Sequence, residues 1–387
     1  MFLSCISPLC NRSLYCCVIC TVGLCPVTLV TRTLALNPAD PDPAVIDEAA
    51  RVLRGGGLVA FPTETVYGLG ANALSAAAVA GIFRAKGRPV HNPLIVHLAD
   101  SAALDTVAES VPPAARQLAA QFWPGPLTLV LRRAAAVAPN VSGGRETVAV
   151  RVPAHPVARA LIAAAGVPVA APSANRFTRP SATSAAHVLA DLDGRIDLVL
   201  DAGPTPIGVE STVLDLTAQP PALLRPGGVT LEALRAALGE VIEAAALLPL
   251  DDPAAQPSAP GMLSKHYSPE APLLLYDGPF DAVTAALRAA ALAQAAAGRR
   301  VGLLVPEEDR PLFDGLPALI VAPGPRADLA QAARGLFAAL RALDAAGVDV
   351  ILARQFSPEG LGRALADRLL RAAGGRVTVI RAESEDA

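Results

Sequence analysis

Between residues 43 and 238, short apolar runs alternate with segments in which apolar side chains recur every three or four positions. The short runs predict strands at residues 58–61, 94–98, 127–131, 147–152, 167–171, 198–201 and 211–216. The helical spacing predicts helices at residues 43–53, 75–86, 112–122, 156–165, 184–192 and 231–238, with Ser75 as an N-cap. Residues 31–240 are therefore expected to form one α/β domain.

The second half of the chain alternates strands and helices more regularly. Residues 239–261 show no hydrophobic period and are rich in Ala, Pro and acidic residues, which is typical of a linker. Beyond them, strands are predicted at residues 273–276, 301–305, 318–321, 350–352 and 377–380, and helices at 280–297, 328–345 and 360–373. This alternation predicts a small parallel α/β domain over residues 271–387, joined through a linker at 241–270.

Residues 1–30 differ in composition from the rest of the chain. They contain all six cysteines and no alanine. Residues 13–31 are uncharged and nearly long enough to span a bilayer, but Gly23 and Pro26 interrupt them and the first charge comes only at Arg12. We expect a mis-called translation start here, with a membrane anchor or leader and a genuine soluble extension as the alternatives.

The charge and cysteine counts narrow the class of protein. The formal net charge of −3 excludes a strongly basic nucleic-acid coat and an acidic disordered tail protein. The absence of cysteine after residue 25 predicts a cytoplasmic protein without structural disulfides. Of the 32 Lys and Arg residues only Lys86 and Lys265 are lysines. A GC-rich genome that favours Arg codons explains this scarcity, and under such a bias each remaining lysine is a candidate for a role that arginine cannot fill. No Walker, G-x-G-x-x-G, G-x-S-x-G or H-E-x-x-H motif occurs.

Two polar clusters lie in the first third of the chain. F-P-T-E-T-V-Y-G-L-G at residues 61–70 places hydroxyls and glycines after a strand, where a ligand can approach the backbone; an ordinary turn is the alternative. K-G-R-P-V-H-N-P-L-I-V-H at residues 86–97 places Lys86 and Arg88 at a helix end and His97 on a strand. Two cations on a stiff loop suit a polyphosphate, although cations at a helix C-terminus also stabilise the helix itself.

Two further clusters follow later strands. P-S-A-N at residues 172–175 precedes Ser181 and Thr183, and its alternative explanation is a turn capped by its own side chains. S-T-V-L-D at residues 211–215 precedes L-R-P-G-G at 224–228. Arg225 is either an ordinary surface residue or an arginine that a rigid turn directs at phosphate.

Together these motifs are more specific than any one of them. The K-x-R and S-x-N pairs, P-T-E-T-V-Y-G-L-G, W-P-G-P-L-T at residues 123–128 and R-P-G-G resemble the YrdC-like family of threonylcarbamoyl-AMP synthases. P-G-M-L-S-K-H-Y-S-P at residues 260–269 resembles the linker of the long, two-domain form. The resemblance covers about residues 31–382. It implies a twisted, open, mixed or largely antiparallel sheet with a concave basic ligand face, followed by a small Rossmann-like domain.

The resemblance also implies an activity. Members of the family join L-threonine, bicarbonate or CO2, and ATP accompanied by Mg²⁺, and they release pyrophosphate, which makes them nucleotidyltransferases. A separate transferase complex then modifies the adenosine beside the anticodon in tRNAs that read ANN codons, so tRNA would be an indirect partner and no membrane would be involved. No covalent nucleophile is needed, and catalysis would consist of positioning and charge stabilisation.

The resemblance assigns residues to this chemistry, with no metal site built by the protein. Lys86 and Arg88 would be the catalytic cations that hold the phosphates. Threonine would be bound by Thr65, His97, Arg151 and Ser211. The remaining ATP-binding residues would be Asn92, Thr147, Ser173, Asn175, Thr183, Arg225 and Tyr267, while the role of Lys265 stays open.

The sequence leaves two other functions open, and it leaves the role of residues 260–269 open as well. A non-catalytic RNA-binding module could use the same basic cleft. A carbamoyltransferase of hydrogenase maturation contains a similar central module, but it would need acylphosphatase and zinc-finger modules upstream.

Residues 260–269 are also expected to act as a lid, because a reactive mixed anhydride must be shielded from water. A plain tether between the domains is the alternative.

Overall fold

The computed structural model describes residues 29–244, 247–249, 257 and 259–381. The expected extension at residues 1–30 therefore lies outside the described residues except for Leu29 and Val30, both of which are exposed. Within the described part of the chain, sixteen strands form two sheets and nine α-helices accompany them. No helix in this part is both long enough and apolar enough to cross a bilayer.

The first sheet has eleven strands and is mixed, as the sequence predicted. Its order is β1-β8-β2-β3-β7-β4-β6-β5-β9-β10-β11, with β2, β3, β7 and β4 successively antiparallel and with β1–β8, β4–β6 and β5–β9 parallel. The strands are β1 (Arg32–Ala35), β2 (Val59–Pro62), β3 (Tyr67–Asn72), β4 (Ile95–His97), β5 (Leu127–Arg132), β6 (Thr147–Arg151), β7 (Val169–Ala170), β8 (Leu198–Asp201), β9 (Thr212–Asp215), β10 (Ala222–Arg225) and β11 (Ile242–Glu243).

The helices of the first domain lie close to the predicted positions. They are α1 (Pro43–Arg54), α2 (Ala76–Lys86), α3 (Pro113–Phe122), α4 (Pro156–Ala165), α5 (Ala185–Leu192) and α6 (Leu231–Leu238). The side chain of Ser75 accepts the amide of Ala78 and caps α2, which confirms the predicted N-cap. Gly87 ends the same helix in the left-handed conformation, at φ 66°, and so leaves Lys86 on its last turn. Two 3₁₀ turns, Ser101–Thr106 and Pro139–Ser142, complete this domain.

Four strands of the first sheet were not predicted as strands: β1, β3, β10 and β11. β3 contains Gly68 and Gly70, which weaken a strand when it is considered alone. In the sheet the missing side chains make room for a neighbour: a Cβ on Gly70 would lie 2.8 Å from the Phe61 ring and 2.9 Å from Val169. The segment is a strand because β2 and β7 pair with it on both sides.

The second sheet is wholly parallel, which confirms the predicted α/β architecture. Its order is β14-β13-β15-β12-β16. Its elements are β12 (Leu273–Asp277), α7 (Phe280–Ala296), β13 (Val301–Leu304), a 3₁₀ segment at Glu307–Phe313, β14 (Ala318–Val321), α8 (Leu329–Ala345), β15 (Val350–Arg354), α9 (Gly362–Ala372) and β16 (Thr378–Val379).

The region between the domains is more structured than its composition predicted. β11 pairs in parallel with β10, and Leu248 forms a bridge with Leu263. Tyr267 is buried in one apolar cluster with Val66 of the first domain and Phe337 of the second. The described part of the predicted linker therefore fills the space between the domains and packs against both.

Candidate active site

A cavity lies between the first sheet and residues 260–267; it encloses about 490 Å³ when the space open to solvent is included. Strand ends and the loops that follow them supply most of its wall. Eight of the thirteen predicted site residues line it: Thr65, Arg88, His97, Arg151, Ser173, Ser211, Arg225 and Tyr267. The motifs that lie far apart in the sequence therefore meet in one place, as the resemblance implied for most of them.

Lys86 lies one layer behind this wall and supports it. Its ammonium donates to the carbonyl oxygen of Ser173 over 2.5 Å and to that of Asn175. These two bonds join the end of α2 to the P-S-A-N segment, so the two motifs form one unit. Burial, and then the charge of Arg88, hold the pKa of the Lys86 ammonium well below its ordinary value.

Arg88 faces the cavity from the loop after α2. Its guanidinium donates to the carbonyl of Asn92 over 3.2 Å, to the amide oxygen of Asn92 over 2.6 Å and to the carbonyl of Pro93 over 2.8 Å. Burial lowers the pKa of this guanidinium to about 9. Asn92 is fully buried behind it and positions the arginine.

Arg225 ends β10 and is turned inward, so it is not a surface residue. It is 3% exposed, and Nε and Nη2 donate to the carbonyl of Ser211 over 3.0 and 2.8 Å. Nη2 also donates to the Ser211 hydroxyl over 3.1 Å, and that hydroxyl lies 2.8 Å from the Thr128 hydroxyl. Burial lowers the pKa of the Arg225 guanidinium. In the part of the chain that the structure describes, no acidic side chain forms an ion pair with Lys86, Arg88 or Arg225.

The P-T-E-T turn forms the opposite side of the cavity. The Thr63 hydroxyl donates to the carbonyl of Val66 over 2.6 Å and accepts the amide of Thr65 over 3.2 Å, which closes the turn. Glu64 is directed inward and accepts from Arg151 Nη2 over 2.8 Å and from the Ala154 amide over 3.0 Å. Arg151 Nη1 donates to the Thr65 hydroxyl over 3.0 Å. Arg151, which was expected to bind threonine, thus already has a carboxylate partner within the protein.

His97 completes this side as a neutral ring. Nδ1 lies 3.1 Å from the carbonyl of Ile95, so we assign the ring proton to Nδ1 and leave Nε2 as an acceptor. Burial, and then the charge of Arg151, lower the pKa of His97 to about 3. The imidazole is therefore uncharged across the physiological pH range.

Residues 260–267 cover the cavity. Tyr267 is 1% exposed and lies in the left-handed region at φ 59°. No partner of its hydroxyl is found among the described residues. Gly261, at φ 89°, has no side chain and so leaves room for Arg225 and Tyr267 to lie against it. A Cβ there would lie 2.8 Å from Arg225 Cδ and 2.9 Å from the Tyr267 hydroxyl. His266 is buried beside Tyr267, whereas Lys265 is exposed.

The other four predicted residues that do not line the cavity fall into two groups. Asn92 and Asn175 are buried directly behind Arg88 and Lys86 and hold them, so they act through those cations in this structure. Thr183 contacts His187 Nδ1 over 3.2 Å on α5. Thr147 is opposite Arg132 at the start of β6, at the other end of the strand from Arg151. The structure does not bring Thr147 or Thr183 to the cavity, and Thr147 in particular is separated from it by the length of a strand.

Three buried side chains of the site were not predicted: Glu64, Glu210 and His266. Glu64 orients Arg151, and Glu210 accepts hydrogen bonds from Ser181 and from Arg368 of the second domain. Each lies inside or next to a quoted motif. For the two glutamates, the available signal in the sequence was an acidic residue beside small hydroxyl residues. The partners that bury these carboxylates lie far away in the sequence, so their role could not be derived from it.

Comparisons with known proteins agree with this arrangement. Residues 51–227 match the family model of the Sua5, YciO and YrdC proteins, described as telomere recombination, and residues 229–374 match that of the threonylcarbamoyl-AMP synthase C-terminal domain. The chain is 46% identical over 349 residues to the threonylcarbamoyl-AMP synthase of Bacillus subtilis (strain 168), which covers 90% of this chain and 97% of that protein.

A second relative has a solved structure. The chain is 46% identical over 333 residues to the threonylcarbamoyl-AMP synthase of Pyrococcus abyssi (strain GE5 / Orsay), covering 85% of this chain and 94% of that protein. The crystal structure of P. abyssi Sua5 complexed with L-threonine superimposes with a TM-score of 0.83 and 43% identity, over 91% of this chain and all of that one. Since both domains and nearly the full length of these relatives are matched, the chain belongs to the threonylcarbamoyl-AMP synthase family of enzymes, in its two-domain form.

Proposed function

We propose that this protein synthesises L-threonylcarbamoyl-AMP from L-threonine, bicarbonate or CO2, and ATP. The threonine amine adds to CO2 and loses a proton, which gives a carbamate. A carbamate oxygen attacks the α-phosphorus of ATP, the bond from that phosphorus to the β-phosphate oxygen breaks, and pyrophosphate leaves. The enzyme is thus a nucleotidyltransferase, and tRNA enters only later, when a separate transferase complex uses the product.

The observation that carries this proposal is that one cavity is lined by two chemically different sets of side chains, which we call its ATP half and its threonine half. One half has buried cations without acidic partners, with Arg88 and Arg225 in the wall and Lys86 behind it. Buried cations that lack a counter-charge are costly, and a polyphosphate would compensate them. The other half has hydroxyls and the neutral His97, which suit an amino acid better than a second polyanion.

The threonine half offers a specific set of hydrogen bonds. Arg151 Nε has no partner among the described residues, although Nη1 and Nη2 are held by Thr65 and Glu64. This donor, with its guanidinium fixed in orientation, is suited to the threonine carboxylate. His97 Nε2 is suited to accept from the substrate hydroxyl or amine, and Ser211 lies between the two halves.

The ATP half supplies charge and no acid–base group. Arg88 and Arg225 stabilise the phosphates and the charge that moves onto the leaving pyrophosphate. Ser173 lines the same wall, and Lys86 fixes its backbone. Mg²⁺ enters as part of the MgATP substrate, since both oxygens of Glu210, the carboxylate in the described cavity wall, are held by Ser181 and Arg368.

Residues 260–267 serve as the lid in this proposal. They lie over the cavity, with the buried Tyr267 hydroxyl beside Arg225. A closed lid keeps water from the mixed anhydride until the product is released. A chain of the first domain that keeps this segment should therefore retain more product than one that ends before it.

The test is incubation of the protein with MgATP, bicarbonate and each amino acid in turn, with pyrophosphate release and AMP-containing product measured. We expect release only with threonine, and less of it when bicarbonate and CO2 are removed. The variant Arg151→Ala should raise the KM for threonine more than the KM for ATP. Threonine-independent ATP hydrolysis, or none at all together with RNA binding, would contradict the proposal and favour the binding module.

A further inference from the structure

Arg368, on α9, joins the second domain to the wall of the candidate active site. Its side chain is fully buried. Nε donates to the carboxylate of Glu210 over 2.7 Å, and Nη2 donates to the carbonyl of Pro226 over 3.0 Å. The guanidinium carbon lies 5.0 Å from the centre of the Tyr267 ring. One side chain of the second domain therefore contacts two loops of the first domain and the lid.

The two loops that it contacts carry site residues at their next positions. Glu210 directly precedes Ser211, and Pro226 directly follows Arg225. The loops are in tight contact, since a Cβ on Gly227 would lie 2.3 Å from the Glu210 carbonyl oxygen. A displacement of either loop would change the distance between the Ser211 hydroxyl and the Arg225 guanidinium.

The charged side chains around Arg368 indicate that its guanidinium pairs with carboxylates of the protein and not with a ligand. Arg368 also pairs with Asp367 over 2.6 Å, and Asp367 pairs with Arg371 over 2.9 Å. Two carboxylates therefore balance two guanidiniums, in contrast to the unpaired cations of the cavity. Arg368 is not in the cavity wall, so it cannot touch a bound substrate there.

We propose that Arg368 is a positioning residue of the synthase site, which acts through Glu210 and Pro226 on Ser211 and Arg225. This inference rests on the proposed function, because it takes Ser211 and Arg225 as contacts of the two substrates. It assigns a task to the second domain: a side chain of α9 fixes the spacing between the threonine half and the ATP half.

Arg368→Gln tests this role through the kinetics. We expect kcat/KM for pyrophosphate release to fall about 10- to 100-fold, since a displacement near 1 Å in a positioned group costs up to about 100-fold. The Glu210→Gln variant should show a similar loss. The double variant, which leaves no unpaired buried charge and so guards against misfolding, should be no slower than either single variant, because both substitutions interrupt the same contact.

Two further variants test whether Arg368 positions the site residues or only attaches the second domain to the first. Arg179→Gln removes ion pairs to Glu270 over 3.0 Å and Asp344 over 3.1 Å between the same domains, away from the cavity. We expect it to keep the kcat/KM of the unchanged protein. Arg368→Lys keeps the charge but cannot reach Glu210 and Pro226 together, so it should recover only part of the activity.

Amide hydrogen exchange gives a readout that does not depend on activity. Residues 210–213 and 226–229 should exchange faster in Arg368→Gln and be unchanged in Arg179→Gln. Unchanged exchange there, or losses in kcat/KM that add fully in the double variant, would overturn the inference. If the unchanged protein releases no pyrophosphate with threonine, the proposed function fails, and the exchange measurement alone then decides the inference.

Discussion

Each domain has a cavity lined by arginines, but two arginines of the first cavity, Arg88 and Arg225, lack among the described residues the carboxylate partner that both arginines of the second cavity have. The second cavity, about 890 Å³ including its open side, lies at the carboxyl ends of the parallel strands β12 and β15. There Asp309 pairs with Arg326 and lies 3.2 Å from Arg354 Nε. The two guanidiniums lie 4.5 and 4.4 Å from the centre of the Phe280 ring. In the first cavity, Arg88 and Arg225 face backbone and amide oxygens instead of a carboxylate.

This difference shows that residue type alone does not make an anion site. Removing the carboxylate partner of a buried arginine destabilises the fold, whereas an arginine held only by neutral oxygens keeps its charge for a ligand. Arg151 combines the two, since Glu64 holds Nη2 and Nε has no partner among the described residues. The fold places both arrangements at the ends of strands. Substitutions in the first cavity should therefore reduce catalysis, and those in the second should reduce stability.

The largest effect is expected from Asp309→Asn, which removes the carboxylate partner of two arginines in the wall of the second cavity. Asp309 is 1% exposed, and its loss leaves the buried Arg354 without a counter-charge. Breaking a buried pair costs about 3–5 kcal/mol of unfolding free energy. Denaturant unfolding should show this loss, while pyrophosphate release per folded molecule should stay unchanged. A large fall in kcat with intact stability would remove the contrast between the two cavities.

The second largest effect is expected from Lys86→Ala, behind the wall of the first cavity. A charge-assisted hydrogen bond contributes about 1.5–3 kcal/mol, so kcat/KM for ATP should fall about 10- to 150-fold. The domain should stay folded, with a melting temperature lowered by the loss of the hydrogen bonds to the carbonyls of Ser173 and Asn175. Lys86→Arg should also be impaired, since a planar fork cannot reproduce one point donor to Ser173 and Asn175. Full activity in Lys86→Arg would mean that codon bias explains this lysine.

A third effect, in pH dependence, is expected from His97, and close to pH 6.5 it is smaller than the two above. Its pKa falls from 6.5 to about 3 on folding, so below pH 6.5 the unfolded chain binds a proton that the folded chain does not. The unfolding free energy should then decrease as the pH falls from 6.5 toward 3, by about 1.4 kcal/mol per pH unit from this residue.

The control for this prediction is His97→Gln, whose stability should depend less steeply on pH. His187, whose pKa is lowered to about 4 by burial, adds to the same slope in both proteins. Four of the five histidines lie in the first domain, and His266 lies between the domains, so acid should destabilise the first domain more than the second. Hydrogen exchange at pH 5 that is faster in both domains alike would contradict this division.

The smallest effect is expected from Lys265→Ala. Lys265 is exposed, whereas its neighbours His266 and Tyr267 are buried, so it does not reach the cavity from the outer face of the lid. We expect kcat/KM to change by less than about twofold, as is usual for an exposed position. A tenfold loss would show that the second lysine also acts in the reaction, and the contrast with Lys86 would disappear.

The periodic elements were predictable from the sequence because their signal is local. α4, α6 and β8 begin and end at the predicted residues, and the second domain has the predicted alternation. Hydrophobic spacing and caps determine such elements wherever they are placed. The four motifs also identified the family and most of the cavity wall, because each motif is a short run of neighbouring residues that can be recognised without the fold.

Only the tertiary structure decided which residues share the cavity and which charges are free. β3 is a strand because two distant neighbours pair with it, and Thr147 lies away from the cavity because β6 carries it to the far end of the sheet. Glu64, Glu210 and Arg368 gained their roles from partners between 87 and 158 residues away. The sequence by itself determined most of the elements, the residue types of the motifs and the family, since these depend on neighbouring residues. The pairing of buried charges depends on distance in space, which folding alone sets.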